Sequence, residues 1–205
     1  SSLLPQLGIH KVMITTFPEW AMRILNLQTN EYVLRFGRTE QEKDAYEFAK
    51  NNALKALAEQ KPGKELYKTL EVCYKNFFTA DQLKLFNLQK EKGLVDRFDL
   101  TILLKLMLAE KGGLYESAEK FVKQVNGRYV KRIVQQQITY SLMVLDEAEN
   151  YLAEQISVMQ SAINQKTKGI IYVGDLVQRT LPFTITNWTE VQEVFAHDRK
   201  IVLQK

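Results

Sequence analysis

Two histidines, His10 and His197, and one cysteine, Cys73, are the only imidazole and thiol groups in this 205-residue sequence. A structural zinc site takes four nitrogen or sulfur ligands, so three scattered candidates do not compose one. His197 is followed by Asp198. Consecutive side chains of an extended segment point to opposite faces, so neither can orient the other as a catalytic triad requires, and Asp198 suits a turn better. Cys73 reads as a small buried hydrophobe, and a lone thiol fits a reducing compartment. Gly112-Gly113 lacks the preceding strand, glycine spacing and terminal Lys-Ser/Thr of a phosphate-binding loop and reads as a helix stop. Asp146 with Glu149 and Glu147 with Glu154 stand at helical spacings, but without the Glu-x-x-His motifs of di-metal bundles they read as solvated charge. No recognisable catalytic motif emerges and no cofactor is expected. Binding is the expected role, with an enzyme assembled from residues distant in sequence as a further reading.

The basic residues point to what is bound. Lys84, Lys90 and Lys92 fall on one expected helix, and Lys120, Lys123, Arg128, Lys131 and Arg132 cluster further on, with no Asp or Glu from Lys120 to Gln137. Unopposed Lys and Arg can follow a phosphate backbone by displacing its counterions without reading bases. Tyr129 could add a stacking surface. An ordinary solvated basic face is the competing reading. Overall, 28 Lys and Arg against 24 Asp and Glu leave a charge of +4, which permits a polyanionic partner without demanding one.

The elements that must position these residues are expected to be mostly helical. Hydrophobic residues make up 45% and charged residues 25%, which excludes a disordered or collagenous chain. Ile9 to Thr16 and Glu31 to Phe36 read as short strands, with a helix opening at Pro18 and running to about Leu27. Thr39 with Glu42 and Thr79 with Gln82 are capping-box pairs, each opening a helix. The first of these should end at Lys61-Pro62-Gly63 and the second at Gly93. Between them Leu66, Leu70, Cys73, Tyr74 and Phe77 share a helical face. Asp96 or Asp99 caps a strongly apolar helix that stops at Gly112-Gly113.

From Leu114 to Lys166 the spacing predicts helix, interrupted if anywhere at Asn126-Gly127, and with no Pro or Gly between Arg128 and Gly169 the second part is expected to be a long packed helix or two helices broken near Asp146. Ile133, Val134, Ile138, Leu142, Leu145, Leu152 and Ile156 would then form a stripe that must be buried, against the preceding helices or against another chain, such as a partner or a second copy in a homo-oligomer. After Gly169, Ile170 to Val173, Phe183 to Thr186 and Ile201 to Leu203 are β-prone, and Trp188 to Phe195 could form a short helix. The expected fold is therefore mainly α: a helical body with a long C-terminal helix followed by a small α/β or β-hairpin element. Its parts would be a mixed α/β N-terminal segment (1–38), a helical body (39–168) and a small C-terminal α/β element (169–205). No apolar run approaches the roughly 20 residues of a membrane span, and the first residues do not read as a secretory signal, so a cytoplasmic location is expected.

Two segments resemble the primase-like polymerase processivity subunit of coronaviruses and their nidovirus relatives. One is Lys123 to Leu145, where Lys131-Arg132 leads into Val134-Gln135-Gln136-Gln137-Ile138-Thr139-Tyr140-Ser141-Leu142-Met143-Val144-Leu145. The other is Trp188, Val191-Gln192-Glu193-Val194, Asp198 and Lys200-Ile201-Val202, with a fainter match at Ala45-Tyr46-Glu47. Gly93, Gly112-Gly113 and the first 38 residues depart from the family pattern. The resemblance implies a non-catalytic RNA-binding accessory subunit of a viral RNA-dependent RNA polymerase complex in the host cytoplasm. Lys120, Lys123, Arg128, Lys131 and Arg132 would hold the RNA backbone, and Ile138, Leu142 and Leu145 would meet the polymerase or a small helical replicase subunit. The alternative is a helical protein-binding adaptor or scaffold with no nucleic-acid role.

Overall fold

Thr16, Thr39, Thr79 and Asp96 each hold an extended backbone, and each accepts a hydrogen bond from an amide two or three residues on. That bond satisfies an amide the first helical turn leaves open, and at each of the four a helix begins. In the computed structural model, which describes residues 12–57, 65–125, 127–167 and 169–192, these are α1 (Phe17–Leu25), α2 (Glu40–Lys55), α4 (Ala80–Glu91) and α5 (Arg97–Lys111), with α3 (Leu66–Tyr74) before α4. The Thr79 and Gln82 side chains and the Asp96 and Asp99 side chains complete reciprocal capping boxes. Glu42 does not return the Thr39 bond; its carboxylate accepts from the Arg38 amide instead.

α5 is the axis of the body. Leu100 and Leu104 face one apolar core, shared with Phe17, Trp20 and Ile24 of α1. Phe98, Ile102 and Leu106 face a second core, with Tyr46, Leu70, Tyr74, Phe78 and Phe86. A helix apolar all round has to be buried all round, and α5 is packed by α1, α2 and α3. β1 (Glu31–Tyr32) and β2 (Leu94–Val95) form a short parallel pair leading into it.

The chain beyond Leu114 departs from the expected long helix. β3 (Tyr115–Lys123) and β4 (Tyr129–Gln137) form an antiparallel hairpin, and β5 (Leu142–Leu145) pairs in parallel with β6 (Gly169–Tyr172). Between β5 and β6, α6 (Ala153–Gln160) is the one α-helix left of the expected run, and it packs on α5. The fold is thus helix-rich mixed α/β without a long C-terminal helix among the described residues, and strands occupy part of the expected helical body. The physical reason is that β-branched Val130, Ile133 and Val134 flank a turn whose Gly127 sits at φ +80°, a backbone that suits glycine and closes a hairpin.

The stripe assigned to one helix is correspondingly split. Ile138, Leu145, Leu152 and Ile156 are buried in the protein's own cores, Val134 is half-buried on β4, and Leu142 and Ile133 are exposed.

Residues 12–16 carry no strand, and of the Glu31 to Phe36 strand only Glu31–Tyr32 pairs. Phe183 to Thr186 is not a strand; Phe183 turns the chain at φ +64°. α7 (Thr189–Gln192) is the described part of the short helix expected near Trp188. His10, His197-Asp198, Lys61-Pro62-Gly63, Lys200 and Ile201 to Leu203 lie outside the described residues. No helix among the described residues is long and apolar enough to cross a membrane.

Candidate nucleic-acid interface

The β3–β4 hairpin is rooted in the body at one end and open to solvent along the rest. At the root, Leu114 and Ile138 are buried, and the Ile138 amide donates to the Leu114 carbonyl at 2.8 Å. Arg23 of α1 meets Glu116 at 3.3 Å. The Trp20 indole N–H donates to the Tyr140 hydroxyl at 3.0 Å, tying α1 to the chain just past β4. From Glu119 onward every β3 side chain is exposed, as is every β4 side chain except Val134.

Four of the five clustered cations are brought together on this projecting part. Lys120 stands directly opposite Arg132, Phe121 opposite Lys131, and Lys123 opposite Tyr129. Cross-strand partners share a face, so Phe121, Lys123, Tyr129 and Lys131 lie on one side, and Lys120, Val122, Val130 and Arg132 on the other. Like charges directly opposite each other destabilise a hairpin, so the Lys120 and Arg132 pairing is a local repulsion that an anion would relieve. Lys131 reaches Glu119 at 2.5 Å, while Lys120, Lys123 and Arg132 have no acidic partner among the described residues. At the tip, Val122, Lys123, Gln124, Val125 and Arg132 line an open hollow of about 590 Å³. The fifth cation, Arg128, closes the loop through its carbonyl, which accepts from the Gln124 amide at 2.7 Å.

The remaining expected residues are carried elsewhere. Lys84 and Lys90 are exposed on α4, with Lys92 at its C-cap, and Lys84 pairs with Asp81 at 2.9 Å. Of the expected partner contacts, Ile138 and Leu145 are core residues and only Leu142 is presented to solvent. It shares the outer face of β5–β6 with Val144, Ile171 and Val173, all about half exposed.

A second cluster of charge, without a signal in local sequence beyond the Asp96 cap, is shut inside. Lys50 of α2 is fully buried and donates to Asp96 at 2.6 Å, to Asp99 at 2.8 Å and to Gln89 at 3.0 Å. The Tyr74 hydroxyl donates to Asp99, and the Tyr46 hydroxyl to Gln89. Burial opposes the Lys50 charge, but the two carboxylates outweigh it and hold the ammonium above its usual range. Burial and the neighbouring Asp99 raise the Asp96 carboxyl to about 6, against the pull of Lys50. One ammonium serves two carboxylates, so the cation is fully compensated and the second anion is not. With every member buried, the cluster ties α2, α3 and α4 to the start of α5 and offers nothing to a ligand. Cys73, also buried, has its thiol pushed up to about 11 by burial, which suppresses the reactive thiolate.

Among the described residues no group of three or more His, Cys, Asp or Glu could hold a metal ion. No protein-family model, curated protein or solved structure matches the chain.

Proposed function

We propose that this chain binds nucleic acid without chemistry of its own, holding a phosphate backbone on the β3–β4 hairpin. The observation that carries the reading is the run from Lys120 to Gln137, which has five cations and no carboxylate and stands out from the body as an exposed ribbon. A two-stranded ribbon is a form that nucleic-acid grooves and strands accept. Each phosphate neutralised releases counterions, so binding draws its free energy from salt release and carries little sequence preference. Lys84, Lys90 and Lys92 on α4 would be a secondary contact.

Within this proposal, a place in a viral RNA polymerase complex rests on the sequence resemblance. RNA would be the backbone held, and a polymerase and a small helical replicase subunit the partners. Lys123 to Leu145, which carries the resemblance, is built from strands where the family has a basic helix. What is shared there is charge and composition rather than shape.

The test is RNA and DNA binding at about 50 mM and about 200 mM salt, for the parent and for a variant with Lys120, Lys123, Lys131 and Arg132 replaced by Thr, which suits a strand. Affinity should fall with salt. The variant's salt slope should be shallower by roughly 0.7 per lost contact on single strands or 0.9 on duplex. No detectable binding at low salt would overturn the proposal. The adaptor reading would then gain, and it has its own observation in the exposed aliphatic face of Leu142, Val144, Ile171 and Val173.

A further inference from the structure

We infer that the hairpin takes its nucleic acid as a single strand, with bases stacked on Phe121 and Tyr129 and phosphates on Lys123 and Lys131. This rests on the backbone-holding proposal and adds the form of the ligand. The register sets the four side chains in a checkerboard: Phe121 beside Lys131 across the strands, Lys123 beside Tyr129, and the two rings on one diagonal. Both rings are open to solvent, 71% exposed for Phe121 and 66% for Tyr129, and neither meets another ring among the described residues. An exposed phenylalanine at the end of a projecting ribbon does nothing for the core, since it leaves its apolar area in water.

Spacing and charge decide which nucleic acid fits. Diagonal cross-strand neighbours lie about 7–8 Å apart, roughly twice the 3.4 Å per-strand rise of stacked nucleotides. Bases meeting both rings must therefore be drawn apart. A single strand allows this at little cost, whereas a duplex keeps its base faces closed against each other and pays unstacking energy to open them. A ring alternating with an ammonium in both directions matches a chain in which a π-face alternates with a phosphate. Glu119, a carboxylate on this same face, holds Lys131 in an exposed pair, which is weak enough for a phosphate to displace. The opposite face, with Lys120 and Arg132 but only Val122 and Val130 between the strands, has charge and no ring. It provides the internal control.

The experiment is fluorescence anisotropy of the full chain with fluorescein-labelled oligouridylate, oligothymidylate and a blunt RNA duplex of equal length, at low salt. Both single strands should bind at least about tenfold more tightly than the duplex. Phe121→Leu and Tyr129→Leu should each weaken single-strand binding by about fivefold or more, the loss expected of one stacked base, and leave duplex binding unchanged. Phe121→Trp and Tyr129→Trp should restore it. Lys120→Thr with Arg132→Thr should weaken both forms alike. Circular dichroism of each variant separates loss of the ring from loss of the hairpin. Duplex binding as tight as single-strand binding, or single-strand affinity unmoved by the leucine variants, would overturn the single-strand inference and leave the backbone-holding proposal standing. No binding to any of the three probes would overturn both.

Discussion

Lys50 and Lys120 carry the same ammonium group into opposite surroundings. Lys50 is sealed among Asp96, Asp99, Gln89, Tyr46 and Tyr74, each proton donated to a fixed acceptor. Lys120 stands on an exposed strand facing Arg132, with no acidic partner among the described residues. The first arrangement answers the cost of burying the ammonium by pairing it with two carboxylates, and the cluster locates four helices relative to one another. The second leaves charge uncompensated in water, where that costs little and keeps it available to an outside anion. A sequence count of basic residues adds these two lysines together, and only the fold separates them.

The largest effect should come from breaking the closed cluster. Lys50→Met leaves two buried carboxylates without their cation and should cost about 3–5 kcal/mol, read as a lower midpoint in urea unfolding. RNA affinity of the molecules that remain folded should be unchanged. Substituting the open cluster should do the reverse. The fourfold threonine variant should lose at least about tenfold in nucleic-acid affinity at low salt while its stability stays within about 0.5 kcal/mol of the parent.

A smaller effect concerns pH. The Asp96 carboxyl is raised from 3.8 to about 6 in the folded state, so its protonation favours folding. That contribution is fully present below pH 3.8 and is lost as pH rises through 6. Asp96→Asn keeps a good helix cap and removes the titration. The stability difference between parent and variant should therefore shift in the variant's favour from pH 4 to pH 7, as urea unfolding at each pH would show. The smallest effect is expected at the hairpin root, where Arg23→Ala removes the half-exposed contact to Glu116 and should cost about 0.2–1 kcal/mol.

The same contrast explains what sequence could reveal. The helices up to Lys111 were legible because their signals are local: Thr39, Thr79 and Asp96 cap them, Gly112 stops one in a left-handed turn, and apolar residues recur at helical spacing. The hairpin was not legible as strands, because a strand prints a period of two only when one of its faces is buried. From Glu119 outward neither face is, so Lys120 to Lys123 and Tyr129 to Ile133 show no alternation to read. The absence of Pro and Gly after Arg128 then reads as helix, although it excludes neither structure. The basic residues were legible all the same, since charge composition does not depend on the backbone that carries it. The Lys50 cluster is invisible for the opposite reason: Lys50 and Asp99 lie 49 positions apart and meet only once α2 has docked on α5.

Among the described residues the hairpin has two strands and no further strand on either edge, and each edge is a row of amides and carbonyls that could take on a strand from another copy. Phe121, Val122, Val130 and Ile133 supply the β-prone, apolar text on which such stacking grows. Lys120, Lys123, Lys131 and Arg132 are set among these residues, and two copies laid edge to edge would bring eight like charges together. Cations so placed oppose edge-to-edge pairing, as charges do on natural sheet edges. Neutralising them, whether by substitution or by a bound polyanion, removes that guard and leaves the ribbon prone to self-association.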